Sequence, residues 1–227
     1  AGELLRRILK EHAPEAVVIA CWSRTAHWWC EACAGMGVPY ILVTYGLEIV
    51  RPMGRFFSYA RTRDARGASL IVTISDHSAA VTRELTRDEV PVAVVRPGIR
   101  PESMEDVSSE DADAVRKRLD LKGDFILSLG RLVKRKGFDL AVRAFDRVAE
   151  EHPGIKLVIA GDGQQREQVE STVVKSPFAR RILMAGSVSD RERDALFDQC
   201  RFFLMPNRPV EGDMEGFGIV FLQANYF

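Results

Sequence analysis

Cysteine is scarce in this chain. Cys21, Cys30, Cys33 and Cys200 are the only four among 227 residues. So few thiols over that length make no disulfide framework, and their plain reading is reduced cysteines in a cytoplasmic protein. A surplus of charge is also missing. Lys and Arg total 32, and Asp and Glu total 32. That balance removes a general pull toward nucleic acid or an anionic membrane and leaves only local patches to consider. No apolar run approaches the roughly 18 residues a spanning helix needs, and no signal-peptide pattern opens the sequence. The hydrophobic fraction of 46% and charged fraction of 28% exclude wholesale disorder.

What is present is a rhythm of short apolar strands and helices. Residues 16–20, 40–44, 70–74 and 92–95 read as buried strands. Helices are expected over residues 4–11, 25–35 and 53–66, and from an N-cap at Ser75 to Leu85. Continuously apolar strands alternating with helices predict a parallel sheet covered on both faces. The pattern lapses over the acidic, serine-bearing residues 100–112, where a linker is expected. It then restarts with a helix over residues 115–121, strands at 125–129, 156–160, 182–185 and 202–205, and helices between them. The expected architecture is therefore α/β, with two Rossmann-like parallel-sheet domains, residues 1–99 and 113–227. The first residues are Ala1-Gly2 rather than Met, and residues 218–227 are apolar nearly all round with no stop signal. This suggests a buried final element and a chain cut at both ends.

Ligands of such sheets bind beyond the carboxyl ends of the strands, and three loops there carry chemistry. Residues 130–137 hold Arg131, Lys134, Arg135 and Lys136 between Gly130 and Gly137. Arginine forks and lysine point charges suit phosphate oxygens. Gly161-Asp162-Gly163 is half a dinucleotide fingerprint with Arg166 where a third glycine belongs, so it speaks more for a tight turn than for a nicotinamide cofactor. The third loop, residues 211–218, puts Glu215, Gly216, Phe217 and Gly218 directly before a helix. Free amides at a helix start attract anions, and a carboxylate beside them accepts hydrogen bonds from hydroxyls. Together they suit a sugar phosphate.

Gly130-Arg131 with Lys136-Gly137, Gly161-Asp162-Gly163, Gly186 with Val188-Ser189-Asp190, and Glu215-Gly-Phe-Gly-Ile-Val220 resemble the retaining nucleotide-sugar glycosyltransferases of family 4. The likeness is dense from about residue 125 onward. It is looser over residues 16–98, where Val38-Pro39-Tyr40, Ile74-Ser75 and Arg96-Pro97-Gly98-Ile99 carry it. The resemblance implies a GT-B fold, two such domains facing a cleft, and transfer of a hexose from a UDP-, GDP- or ADP-sugar to a sugar or lipid-linked acceptor hydroxyl. It implies retention of configuration, no metal or other cofactor, and no nucleic-acid partner, in polysaccharide or glycolipid biosynthesis. By position, Arg131 and Lys136 hold the donor diphosphate, with Gly130 and Gly161 beside it. Val188 meets the base through its backbone. Glu215 binds the transferred sugar, and the amides near Phe217, Gly218 and Ile219 meet hydroxyls and phosphate. Gln223 stands where the family has a ribose-gripping glutamate, and Tyr45-Gly46 stands where it often has His-Gly. Two other readings stay open: a nucleotide-sugar epimerase of the same fold, and a non-catalytic sugar-nucleotide binding module.

Four further patterns have plainer explanations. Trp29-Cys30-Glu-Ala-Cys33 imitates a redox motif, but a cap at Thr25 places Cys30 inside the helix, away from the dipole that would activate it. A zinc site from Cys21, His27 and these cysteines would need the strand end to fold back. Asp111-Ala-Asp113 is better explained as charge favouring a helix start than as a metal motif. Arg51, Arg55, Arg61, Arg63 and Arg66 around Phe56, Phe57 and Tyr59 read first as a solvated helix face, with peripheral contact to a membrane or acidic lipid acceptor as the functional alternative.

Overall fold

The structure, a computed structural model, describes residues 2–100, 104 and 107–227. It divides into two compact units, Ala1–Pro97 with Glu211–Phe217, and Gly98–Val210 with Gly218–Phe227.

The first unit runs α1 (Gly2–His12), β1 (Val17–Ile19), α2 (Arg24–Met36), β2 (Tyr40–Thr44), α3 (Leu47–Val50), α4 (Arg55–Gly67), β3 (Leu70–Thr73), α5 (Asp76–Thr86) and β4 (Val92–Val94). Its four strands form one sheet in the order β1-β2-β3-β4. All its pairings are parallel, with Leu42 opposite Ile71 at the centre. Leu9, Ile19, Trp22, Cys30, Cys33, Tyr40, Leu42 and Ile71 form one buried cluster. Ser75 caps α5 as expected, its hydroxyl accepting from the Ser78 amide. The cap of α2 is Ser23, not Thr25, because Ser23 takes the extended conformation and accepts the Ala26 amide at 3.1 Å. The helix expected over residues 53–66 starts at Arg55, after the separate turn α3.

The second unit runs α6 (Ser109–Arg118), β5 (Phe125–Leu129), α7 (Phe138–Val148), β6 (Lys156–Ala160), α8 (Arg166–Lys175), β7 (Ile182–Gly186), α9 (Asp190–Gln199), β8 (Phe202–Phe203) and α10 (Ile219–Tyr226). Its sheet, also parallel, has the order β7-β6-β5-β8. Alternation along β5 and β6 explains the two cores. Phe125, Leu127, Leu129, Val158 and Ala160 enter one cluster, while Ile126, Leu157 and Ile159 enter the other. Successive side chains point to opposite faces, so both strands are buried on both sides. Each large side chain so buried contributes roughly 1.5–3 kcal/mol.

The expected linker over residues 100–112 falls partly on residues 101–103, 105 and 106, which lie outside the described residues. Its end is already helical. α6 begins at Ser109 rather than 115, capped by Ser108, whose hydroxyl and amide both bond the Asp111 carboxylate. The carboxylate pair of 111 and 113 thus starts a helix. At the other end, α10 is apolar all round, yet Ile219, Phe221, Leu222 and Tyr226 are each more than a third exposed and Val220 alone is buried. The final element, expected to be buried, is partly so: Val220, Ala224 and Phe227 pack on the core while the other side of α10 is exposed.

Candidate functional site

The carboxyl end of the second sheet is built by loops that hold one another. After β5 the chain turns through Gly130, at φ +146°, into the loop of residues 130–137. Leu132 is fully buried and stitches this loop to the next. Its amide donates to the Asp162 carbonyl at 2.9 Å, and its carbonyl accepts the Gln165 amide at 2.9 Å. The approach is so close that a Cβ on Gly161 would lie 2.0 Å from the Gly130 carbonyl oxygen, and one on Gly163 would lie 2.6 Å from that of Leu132. Both glycines also sit at positive φ. The Gly161-Asp-Gly163 motif is thus required by the protein's own backbone, as a tight turn would be. From the other side, a Gly161 amide bond of 2.6 Å reaches the Gly186 carbonyl at the end of β7.

Lys136 ends a 3-10 turn, Lys134–Lys136. Its ammonium lies over Gly130, 2.9 Å from where a Cβ would stand. Arg131 is exposed on the same loop. The turn is clamped by a segment that the sequence reading did not single out. Arg208 makes a two-pronged pair with Asp139, at 2.8 and 3.0 Å, and its Nε donates to the Lys134 carbonyl at 2.8 Å. Its amide also donates to the Arg135 carbonyl at 2.8 Å. A Cβ on Gly137 would lie 2.1 Å from the Pro206 carbonyl oxygen. An arginine in a polar loop sixty-nine positions from its partner leaves no local sequence signal.

Of the remaining candidate residues in this unit, Val188 packs half-buried against the core just before Ser189, which caps α9 through a reciprocal bond with Glu192. Gly218, buried at φ +81°, starts α10, and Ile219 is exposed. Gln223 is half-buried. A cavity of about 770 Å³ lies at the opposite, amino end of the sheet, lined by Asp124, Val148, His152 and Phe202 among others.

Glu215 and Phe217 group with the first unit. There the structure brings Tyr45 and the Glu215–Gly216 stretch together. A Cβ on Gly216 would stand 2.1 Å from the Tyr45 carbonyl oxygen and 2.9 Å from Ile74. Gly46, at φ +112°, is covered by the buried Met214, whose sulfur lies 2.9 Å from a Cβ position. The Tyr45 amide donates to the Glu48 carboxylate, while the Tyr45 side chain is 49% exposed. A side chain at 216 would meet the Tyr45 backbone and push the two segments apart, whereas one at 46 would displace the Met214 side chain and be strained by its positive φ.

The first unit also holds a buried polar cluster. Asp64 accepts from the Trp22 indole at 2.8 Å and bonds His27 Nδ1 at 2.8 Å, and the Tyr40 hydroxyl donates to the Asp64 carbonyl at 2.6 Å. His27 is therefore engaged by a carboxylate. Among the described residues, no group of three or more His, Cys, Asp or Glu is placed to hold a metal ion. Cys30 and Cys33 are buried and free. Burial first, then the nearby Asp64 charge, pushes the Cys30 thiol up to about 12, the opposite of what an attacking thiolate requires.

Solved structures share this fold. HepE from Anabaena, crystallised with UDP and glucose, superposes with a TM-score of 0.74 at 17% identity, over 98% of this chain and 60% of that one. Sucrose-phosphate synthase from Thermosynechococcus elongatus gives 0.70 at 14%, over 98% and 56%. The two four-stranded parallel sheets are thus those of the GT-B class of α/β proteins. In sequence, the family description Glycosyl transferases group 1 matches residues 109–227, and the chain belongs to that family. It is 25% identical over 141 residues to mannosylfructose-phosphate synthase of Agrobacterium fabrum, covering 59% of this chain and 30% of that protein. It is 25% identical over 224 residues to the GDP-mannose-dependent alpha-(1-6)-phosphatidylinositol monomannoside mannosyltransferase of Mycobacterium tuberculosis, covering 97% and 58%. The chain thus spans between about a third and three fifths of the length of these relatives. No described helix is long and apolar enough to cross a membrane.

Proposed function

We propose that this chain is part of a glycosyltransferase that moves a hexose from a nucleotide diphosphate sugar to an acceptor hydroxyl with retention. The observation that carries the reading is the loop after β5, where Arg131 and Lys136 share one glycine-bounded turn braced on both sides. In this reading Arg131 and Lys136 bind the diphosphate of a UDP-, GDP- or ADP-sugar. The Val188 backbone meets the base, Gln223 meets the ribose, and Glu215 with the amides near Phe217 to Ile219 holds the sugar. Gly130 and Gly161 line the approach, and Tyr45 faces the acceptor side. Residues 1–99 serve the acceptor and residues 113–227 the donor.

In the reaction, the bond from the anomeric carbon to the phosphate oxygen breaks. The bond to the acceptor oxygen forms on the same face, and the leaving phosphate takes the acceptor proton. The protein's part is positioning and stabilising charge on the diphosphate. Two cationic side chains and a helix start supply that charge, so we expect turnover without a metal ion. The acceptor is a sugar or a lipid-linked hydroxyl, reached in the cytoplasm or by peripheral contact at the inner face of a membrane. The relatives support this range, since one is named for a phosphatidylinositol mannoside and another for a sugar phosphate. Gln223, an uncharged amide where the family has a carboxylate, favours one second reading, a module that binds donor without transfer.

Calorimetry with UDP, GDP and ADP, each against its nucleoside, tests the assignment. Arg131→Ala is expected to weaken diphosphate binding far more than nucleoside binding. Equal loss for both ligands would remove Arg131 from the diphosphate site.

A further inference from the structure

The turn after β2 hangs on two charged side chains, Glu48 and Arg61. α3 is a single turn of four residues, Leu47–Val50, too short to be held by its own hydrogen bonds. The last carbonyls of a helix find no partners within it. Arg61, on α4, supplies them here. Its Nη1 donates to the Glu48 carbonyl at 3.2 Å and to the Arg51 carbonyl at 3.1 Å. The positive charge also suits the carbonyl end of a helical turn. Burial pulls the Arg61 guanidinium below its ordinary pKa. A cation drawn out of water in this way is stable only with such acceptors around it.

At the start of α3 the Glu48 carboxylate turns back and accepts the Tyr45 amide. Gly46, at φ +112°, makes the bend between them. The Tyr45 carbonyl oxygen is the atom against which Gly216 is seated, 2.1 Å from a Cβ position there. Met214 is seated on Gly46, its sulfur 2.9 Å from the Cβ position. Glu215 stands between Met214 and Gly216 in the sequence. Both of its neighbours therefore rest on the turn that Glu48 and Arg61 hold. Glu215 itself is half-buried, with Oε2 shielded from water. All of these residues belong to the first unit.

We propose that Glu48 and Arg61 are positioning residues for Glu215. The inference rests on the reading that Glu215 holds the transferred sugar, and it adds what fixes that carboxylate in place. Neither side chain needs to touch the sugar, because both act through the Tyr45–Gly46 turn. A group that selects among hydroxyls must be held to about 0.5 Å. Glu215 lies on a loop, so its precision comes from what the loop is packed against. Glu48→Ala removes the acceptor of the Tyr45 amide. Arg61→Met removes the donor to both α3 carbonyls and keeps an apolar stem. Either change frees the turn and lets residues 214–216 shift, while Arg131 and Lys136 stay as they are. The loss should therefore fall on the sugar part of the donor and spare the diphosphate.

Calorimetry of the 227-residue chain is the test, with UDP-glucose against UDP, GDP-mannose against GDP and ADP-glucose against ADP. Glu215→Gln sets the scale. It should weaken the sugar nucleotide about tenfold and leave the nucleoside diphosphate within about twofold. Glu48→Ala and Arg61→Met should show the same pattern, at about three- to tenfold. Glu48→Gln keeps an oxygen for the Tyr45 amide and should bring binding back to within about twofold of the parent. Hydrogen exchange in Glu48→Ala should quicken at Tyr45 and residues 214–217 and stay unchanged along β5 and β6. Glu48 is only half-buried, so its variants carry the test even where Arg61→Met fails to fold. Sugar-specific loss in Glu215→Gln without loss in Glu48→Ala would overturn the proposal and leave the donor reading standing. Equal weakening of sugar nucleotide and nucleoside diphosphate in Glu48→Ala would overturn it as well. No sugar-specific loss in Glu215→Gln, or no binding of any donor pair, would overturn the donor reading and the proposal with it.

Discussion

Arg208 is the residue whose removal should be most instructive. Its guanidinium faces Asp139 with both prongs, at 2.8 and 3.0 Å, and the two side chains are only 26% and 18% exposed. An exposed ion pair contributes roughly 0–1 kcal/mol, whereas charged hydrogen bonds shielded from water contribute about 1.5–3 kcal/mol. This pair belongs nearer the second class. Arg208→Ala also loses the bond from Nε to the Lys134 carbonyl, so its total cost should be about 2–4 kcal/mol. Part of that total belongs to the pair and part to the Lys134 carbonyl, and a double-mutant cycle with Asp139→Ala separates them. Urea denaturation of the four proteins should yield a coupling energy of about 1.5–2.5 kcal/mol. Hydrogen exchange should report faster opening of residues 134–137 in Arg208→Ala. The same variant should bind nucleoside diphosphate more weakly although Arg131 and Lys136 remain. A coupling below about 0.5 kcal/mol, with exchange unchanged, would show that the pair is screened like any surface pair and that the turn under Lys136 is held by other means.

Gly161→Ala should destabilise the second unit by more than 2 kcal/mol, combining roughly 1–2 kcal/mol for positive φ with a Cβ 2.0 Å from the Gly130 oxygen; a midpoint within error of the parent in urea would contradict the loop contact. Gln223→Glu should tighten donor binding by roughly 1 kcal/mol if the position grips ribose, and unchanged affinity in calorimetry would reject that role. Ellman's reagent should label Cys21, which is exposed, and reach Cys30 only on unfolding; rapid labelling of Cys30 in native protein would refute its burial. Stability should fall as pH rises above about 9. There the unfolded Cys30 and Cys200 thiols lose protons that the fold keeps to about 12 and about 11, so the unfolded state binds fewer protons. Denaturation midpoints that stay flat between pH 9 and pH 11 would speak against it.

The alternation of apolar strands and helices was legible because β2, β5 and β6 are buried, and burial writes itself as runs of Ile, Leu, Val and Phe. Ser75, Ser108 and Ser189 caps are equally local, since hydroxyl and amide lie three residues apart. What the sequence hid was longer in range. The Arg208–Asp139 pair and the Asp64 cluster join residues 69, 42 and 37 positions apart, and nothing in the intervening chain marks them. Composition around Gly161 and Gly163 favoured a tight turn while leaving room for a ligand, and the Leu132 and Gly130 carbonyls beside them show what the missing side chains make room for. Similarly, Phe56 and Phe57 are indistinguishable by type, and only the helix phase turns one outward and the other toward Arg24.

The return of Glu211–Phe217 to the first unit bears on how the chain is made. A ribosome delivers residues 1–97 long before Met214 and Gly216. Until they emerge, the turn at Gly46 and the side chain of Ile74 lack the groups that cover them. The second unit, apart from α10, is meanwhile synthesised in one stretch, from residue 98 to 210. The first unit is therefore begun first, yet its last segment follows all of residues 98–210. The unit made first is finished late, and a nascent chain stalled near Val210 would present its incomplete face to chaperones and proteases.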